Sequence, residues 1–214
     1  MEAHIFHPDD YPDLLKSIRL DAAGIKATVK NYSLRFLDIK DDFVEWKLNL
    51  PPFAEAFYQY ILSENNIPPQ SAFFDFYMQS NASYFAQKEI LKEKLPALQA
   101  RIFRTYASLV RDVHFSKYVR ENLTSADVIY NTDLDISEGI DLMISVGELH
   151  CAVNLFTETK RAHDGKHKKQ LRHIRFDNVV YLDLPLRMRR KYGDFYLYGY
   201  PEFLKLENLL TTIG

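Results

Sequence analysis

The spacing of the apolar residues changes near residue 125, and this change constrains the fold more than any other feature. Before it, apolar side chains recur at helical spacing; after it, short apolar runs separated by turn residues are typical of β-strands. From residue 96 the predicted order is helix, strand, strand, strand, helix, strand, which is an α/β arrangement with a sheet flanked by helices. The helical stripe is Ile102, Tyr106, Leu109, Val110 and Val113, and the later segments are strands 127–130, 140–146 and 149–160, helix 163–174 and strand 179–184.

The first 95 residues are aromatic-rich and are predicted to be helical, with proline pairs at 51–52 and 68–69 that interrupt them. A run of aromatics at 73–77 has helical spacing and favours a place in the core over a base-stacking role. We expect residues 1–95 to form a helical extension packed onto a core of residues 96–214, because no Gly/Ser-rich linker separates them. Further predictions are helices at 11–22, 53–62 and 201–210, a polar loop at 133–139 and an edge strand at 195–198.

Charge is distributed unevenly along the chain. Residues 160–191 contain eleven Lys and Arg against three Asp, a net charge of +8, whereas the rest of the chain carries a net charge of −10. A basic segment on an otherwise acidic protein indicates a local phosphate-binding surface. The alternative is a solvated, charged helix without a binding role.

Several classes of protein are disfavoured by what the sequence lacks. The single cysteine, Cys151, excludes an intramolecular disulfide framework, and its apolar surroundings favour a buried position. The sequence contains neither a Gly-rich phosphate loop nor a GxSxG motif, which argues against dinucleotide enzymes, P-loop ATPases and α/β-hydrolases. Because the sequence shows no signal-peptide pattern and no long apolar stretch, we expect a soluble cytoplasmic protein without a membrane partner.

Two carboxylates and an amine are predicted to meet at one end of a hairpin. Asp141 lies near the start of the first strand, and Glu158 and Lys160 lie near the end of the second. A turn over residues 147–150 would bring positions 141 and 158 nearly opposite each other, and residues two apart in a strand share a face. Asp141, Glu158 and the carbonyl of Thr159 could hold Mg²⁺ or Mn²⁺, while Lys160 would orient water or stabilise a charged transition state.

This arrangement resembles the active site of the PD-(D/E)xK nuclease superfamily, to which many restriction endonucleases belong. Gly139-Ile140-Asp141 and Glu158-Thr159-Lys160 carry the resemblance, which covers residues 96–214. The resemblance implies a restriction-endonuclease-like αβββαβ core. It also implies a role for Gln170 on the following helix and for a further acid from the first core helix, either Asp112 or Glu121. Asn154 and Thr157 depart from the pattern, because they make the second strand more polar than a buried central strand usually is.

The expected function is therefore a metal-dependent endonuclease that acts on DNA in restriction, transposition, repair or phage defence. Basic side chains after the hairpin are expected to contact phosphates rather than to read bases. A homodimer would suit double-strand cutting, and a larger nucleoprotein assembly is the other expected state. The predicted nucleic-acid contacts are Arg161, Lys166, Lys168, Lys169, Arg172, Arg175, Arg187, Arg189, Arg190 and Lys191.

Two other functions remain open. One is an inactive protein of the same fold that binds nucleic acid or serves as an assembly subunit. The other is a protein-interaction module whose aromatic N-terminal half contacts a partner. A zinc site formed by His163, His167 and His173 near Cys151 is disfavoured, because neither a second cysteine nor an HExxH motif accompanies these histidines.

Overall fold

The computed structural model describes residues 4–88, 90–158, 175–186 and 191–213, and these ranges form a mixed α/β fold. Short 3-10 turns (Pro8–Asp10, Leu14–Lys16) and a π-helical turn (Phe43–Lys47) accompany the regular elements. The helices are α1 (Ala22–Val29), α2 (Phe53–Glu64), α3 (Gln70–Ser80), α4 (Ala82–Ala86), α5 (Ile90–Glu93), α6 (Leu95–Asn122), α7 (Thr132–Ser137) and α8 (Tyr200–Ile213). The strands are β1 (Asp127–Ile129), β2 (Leu142–Val146), β3 (Leu149–Thr157), β4 (Val179–Leu186), β5 (Lys191–Tyr192) and β6 (Phe195–Tyr196).

The main sheet has four strands in the order β1-β2-β3-β4. β1–β2 and β2–β3 pair antiparallel, whereas β3–β4 pair parallel. Gly147 and Glu148 form a two-residue loop between β2 and β3, and Gly147 has a φ of 58°, which suits glycine at the first loop position. A parallel pair needs a crossover connection, and residues 158–178 provide it.

The two faces of the sheet contact different parts of the core, as the alternation of side chains along a strand requires. Val153 and Leu155 of β3 face α6, together with Leu142 of β2 and Leu184 of β4. A smaller cluster covers the opposite face. Its members are Phe6, Ile129, Leu134, Ile140, Met143, Ala152 and Phe176.

The long helix α6 lies at the centre of the larger cluster. Its predicted stripe is confirmed, because Ile102, Tyr106, Val110 and Val113 are fully buried and Leu109 is partly buried against the same cluster. The N-terminal helices α1, α2 and α3 pack against α6. One hydrophobic core therefore includes residues on both sides of position 95, the predicted boundary between the N-terminal extension and the α/β part of the chain. The aromatic run is buried at Phe73, as the core interpretation predicted.

Predicted helices at 53–62 and 201–210 are confirmed as α2 and α8. The predicted loop at 133–139 is wrong, because α7 occupies most of it. The Asn131 side chain begins this helix by accepting hydrogen bonds from Asp133 N and Leu134 N, and Leu134 is buried beneath the sheet.

The prediction of one helix over 11–22 is also wrong. This region contains only the 3-10 turn Leu14–Lys16 before α1 begins at Ala22. The side chain of Asp21, which precedes α1, accepts a hydrogen bond from Gly24 N. The predicted edge strand at 195–198 is reduced to β6, which pairs with β5 rather than with the main sheet. No helix within the described ranges has the length and apolarity needed to cross a membrane.

A Tyr106→Phe variant is expected to lower the free energy of unfolding by about 1–2 kcal/mol. The Tyr106 hydroxyl donates a hydrogen bond to the Pro68 carbonyl at 2.6 Å in the buried contact between α6 and the start of α3. Removing the donor leaves a buried carbonyl without this partner. Urea unfolding would measure the loss, and Tyr200→Phe, at a side chain that is 58% exposed, is the control. Equal losses in the two variants would contradict this role.

Candidate active site

Asp141 lies in the bend that joins α7 to β2, and it is half-buried. The hydrogen bond from Ile140 N to the Leu134 carbonyl ties this bend to α7. From this position Asp141 reaches across to the neighbouring strand, where its Oδ2 accepts a hydrogen bond from Leu155 N at 2.6 Å. The carboxylate is therefore held at the carboxyl-terminal part of β3, where the hairpin ends.

The register of the hairpin corrects one prediction. Leu142 pairs with Val153 because the loop contains two residues instead of the four expected at 147–150. Asp141 consequently lies across from Asn154 and Leu155, so the expectation that it lies nearly opposite Glu158 is wrong. Glu158 is exposed and follows the end of β3, three residues beyond Leu155. Three residues span about 10 Å in an extended chain.

An ion pair on α6, formed by a buried arginine and a half-buried aspartate, interacts electrostatically with this carboxylate. Arg111 is 9% exposed, and its Nε donates a hydrogen bond to Asp112 Oδ1 at 2.9 Å. Burial acts to lower the pKa of Arg111, but the charge of Asp112, with a contribution from Asp141, outweighs burial and raises this pKa. The guanidinium thus remains charged, and both carboxylates favour its charged form.

A pair of buried tyrosines connects a third carboxylate to the same region. The rings of Tyr58 and Tyr130 stack at 4.1 Å between centroids, and the Tyr130 hydroxyl donates to Asp135 Oδ2 at 2.9 Å. Burial raises the pKa of Tyr58 well above its usual value, and Asp135, Asp112 and Asp141 raise it further. Asp112 of α6, Asp135 of α7 and Asp141 before β2 therefore all raise the pKa of the Tyr58 hydroxyl.

An open cleft of about 700 Å³ adjoins the carboxyl end of β3. Leu155, whose N–H donates to Asp141, lines it, and so does Arg111. Lys191 of β5 lines it as well and lies 3.9 Å from Asp194. The cleft is therefore both basic and continuous with the strand end that holds Asp141.

Glu121 and Asp112 were the two candidates for a further acid at the active site. The structure favours Asp112. Both oxygens of Glu121 accept a hydrogen bond from Ala22 N at the start of α1, which gives this residue a structural role. Asp112 instead acts on the same buried groups as Asp141.

Most of the predicted basic surface lies outside the described residues. Arg175 is described, and its guanidinium lies over the Tyr181 ring at 4.6 Å, on the face of the sheet opposite α6. Lys191 is the other predicted contact that the structure describes. The predicted residues outside the described ranges are Thr159, Lys160, Arg161, Lys166, Lys168, Lys169, Gln170, Arg172, Arg187, Arg189 and Arg190.

Neither Arg111 nor Asp135 was singled out by sequence reasoning. Asp135 was assigned to a loop, although Asn131 three residues before Leu134 is the pattern of a helix N-cap that could have indicated α7. Arg111 precedes Asp112 directly, but their burial depends on how α6 packs and has no sequence signature.

Histidine, cysteine and acidic side chains are the groups from which a protein metal site is usually built. Within the described ranges, no cluster of three or more such residues could hold a metal ion. Cys151 is buried, and burial raises the pKa of its thiol, in agreement with the prediction of a buried hydrophobic role. His163, His167 and His173 lie outside the described residues.

No family model, curated protein sequence or solved structure matches this chain significantly. The interpretation of the site therefore rests on the geometry of the chain itself.

Proposed function

We propose that the chain is a metal-dependent endonuclease of the PD-(D/E)xK kind that hydrolyses DNA phosphodiester bonds. The observation that carries this proposal is the position of Asp141. Its carboxylate accepts a hydrogen bond from Leu155 N near the end of β3, and Leu155 lies three residues before Glu158.

The order of elements supports the proposal. α6 is followed by β1, β2 and β3, then by the crossover segment 158–178 and by β4. This sequence of elements is compatible with the αβββαβ core that the resemblance implies. In that arrangement the β2–β3 hairpin carries Asp141, and the residues that follow β3 carry Glu158 and Lys160.

The donor set suits a hard divalent cation. Mg²⁺ in proteins is commonly bound through one or two carboxylates, with water and substrate phosphate completing its coordination. Asp141 and Glu158 would hold it, together with the carbonyl of Thr159. A carboxylate offers about four lone-pair sites, so the hydrogen bond from Leu155 N is compatible with cation binding by Asp141. Bound Mg²⁺ or Mn²⁺ would activate water and neutralise charge on the phosphate.

Other residues of the chain would assist the hydrolysis that the bound metal ion promotes. Lys160 would orient the attacking water or stabilise the charge that develops on the phosphate. Gln170 would assist from the crossover segment. Arg111 holds Asp112 in place through the Nε hydrogen bond and balances negative charge near Asp141. The basic cleft at the end of β3 would accept the backbone of the nucleic acid.

The hairpin register favours one competing function. Because Glu158 lies about 10 Å beyond Leu155 along the chain, a bridged cation needs the residues after β3 to bring Glu158 back towards Asp141. A protein of the same fold that binds DNA or serves as an assembly subunit, without cleavage, needs no such approach.

Incubation of the purified protein with supercoiled DNA in Mg²⁺, Mn²⁺ or EDTA distinguishes these functions. We expect nicking or cutting that needs the metal and falls by about a hundredfold or more in Lys160→Ala, because that side chain acts on the transition state. Lys205→Ala, at an exposed position on α8, is the matched control and should cut at the parent rate.

Two other outcomes would overturn the nuclease proposal. A gel shift without cleavage in either metal would indicate the inactive binding subunit. The absence of both cleavage and binding would indicate the protein-interaction module with its aromatic N-terminal half.

A further inference from the structure

The backbone of residues 34–39 is fixed at the rim of the cleft by side chains from distant parts of the chain. Gln70 Oε1 accepts a hydrogen bond from Arg35 N at 2.8 Å, and Gln70 Nε2 donates to the Arg35 carbonyl at 3.2 Å. Asp194 Oδ2 accepts from Leu34 N at 2.9 Å, and Arg104 donates to the Ile39 carbonyl at 3.0 Å. These bonds hold an irregular segment in one position.

This fixed segment displays an aromatic ring outward. Phe36 is 71% exposed and lines the cleft. Singly exposed apolar side chains are common on protein surfaces. Phe36 differs from such a side chain because the backbone is anchored on both sides of it, at Arg35 and at Ile39, and because the ring borders a basic cleft. A second ring, that of Tyr196, lines the same cleft and is 37% exposed.

Cationic groups lie in the cleft with these rings. Arg104, Arg111 and Lys191 line it, against Asp194. Arg104 is paired with Glu45 and Arg111 with Asp112, so these two arginines are partly neutralised. Lys191 has a side chain that is 54% exposed and a long contact of 3.9 Å with Asp194, which leaves its ammonium accessible to an anion.

We propose that this cleft binds unpaired nucleotides, with a base stacked on Phe36 and the adjoining phosphate beside Lys191. The preferred substrate would then be a nucleic acid with a single-stranded segment next to the bond that is cut. The inference rests on the proposed function for the cut itself, but the binding site is defined by its own residues.

The combination of rings and cations favours unpaired nucleotides over a duplex. In a duplex both faces of each base are covered by neighbouring bases, so an exposed ring gains little from contact with it. An unpaired base offers a free face, and stacking on aromatic side chains within a positively charged groove is the usual way to bind single strands. A protein partner is a poorer match, because the centres of protein interfaces are depleted in charged residues.

Fluorescence anisotropy in EDTA would measure binding without cleavage. The probes are a fluorescein-labelled oligothymidylate of about 15 nucleotides and a hairpin duplex of similar total length. We expect tighter binding of the oligothymidylate, and a loss of about fivefold to a hundredfold in Phe36→Ala, since stacking of one base contributes about that much. Phe36→Trp retains a ring and should restore most of the affinity. Tyr200→Ala removes an exposed ring outside the cleft and should bind like the parent.

The salt dependence gives a second readout. Lys191→Ala should reduce the slope of log affinity against log salt by about 0.7, as expected for one lost phosphate contact on a single strand. Equal affinity of the parent and Phe36→Ala for the oligothymidylate would overturn the inference, as would the absence of oligothymidylate binding or tighter binding of the duplex.

The two proposals can fail separately. Binding that depends on Phe36 but is never followed by cleavage in Mg²⁺ or Mn²⁺ supports the cleft and contradicts the nuclease. Cleavage that is lost in Lys160→Ala, combined with oligothymidylate binding that is independent of Phe36, supports the nuclease and contradicts the cleft.

Discussion

An Asp141→Asn variant is expected to remain folded and to lose DNA cleavage by about a thousandfold or more, which corresponds to about 4 kcal/mol of transition-state stabilisation. The asparagine oxygen can still accept the hydrogen bond that Leu155 N now donates to Asp141 Oδ2. The negative charge that would bind the cation is removed. Rates of plasmid nicking in Mg²⁺, together with urea unfolding of the same preparations, would separate the loss of chemistry from a loss of stability.

Two further variants make this experiment specific. Asp141→Ala removes the acceptor as well as the charge, so it should also lower the free energy of unfolding by about 1–3 kcal/mol by leaving the half-buried Leu155 N–H without this partner. Asp183→Asn changes an exposed carboxylate on β4 that accepts a hydrogen bond from Asn154 Nδ2, and it should cut at the parent rate. A folded Asp141→Asn protein with undiminished cleavage would exclude Asp141 as a metal ligand.

The elements that the sequence predicted correctly are those whose apolar period is long or strict. The stripe from Ile102 to Val113 spans three turns of α6, and the apolar strand runs that became β2, β3 and β4 are bounded by turn residues. α7 was missed because a helix of six residues is too short to show a helical spacing of apolar residues. Its N-cap residue, Asn131, was the remaining sequence signal.

The geometry of the site was less predictable, because it depends on single residues of register. A two-residue loop at Gly147 and a four-residue loop were both compatible with the sequence, and the difference shifts the residue opposite Asp141 by two positions along β3, to Asn154 next to Leu155. The stacking of Tyr58 on Tyr130 and the electrostatic effect of Asp141 on Arg111 join residues far apart in the chain, so they follow from packing rather than from local pattern.

A buried histidine on α6 should make the stability of the protein depend on pH. His114 is 4% exposed, and its Nδ1 lacks a hydrogen-bond partner among the described residues. Burial, with a smaller contribution from the charge of Lys26, lowers the pKa of His114 from 6.5 to about 4. Between these pH values the unfolded chain binds a proton that the folded protein does not bind. The free energy of unfolding should therefore fall as the pH is lowered from about 6.5 to about 4, and the contribution of His114 should be constant above this range.

A His114→Phe variant should remove this dependence. Phenylalanine is close to histidine in size, can keep the stacking on Tyr118, and carries no titrating group. Relative to the parent, it should gain about 3 kcal/mol of stability between about pH 7.5 and pH 4, because one pKa unit corresponds to about 1.4 kcal/mol. Urea unfolding of both proteins at the two pH values would measure the difference. Burial also raises the pKa of Glu121, but this carboxylate is common to both proteins and its effect cancels in the comparison. An equal fall in stability in the two proteins would mean that His114 can be protonated within the fold, either by exposure of its ring or by a carboxylate that turns towards it.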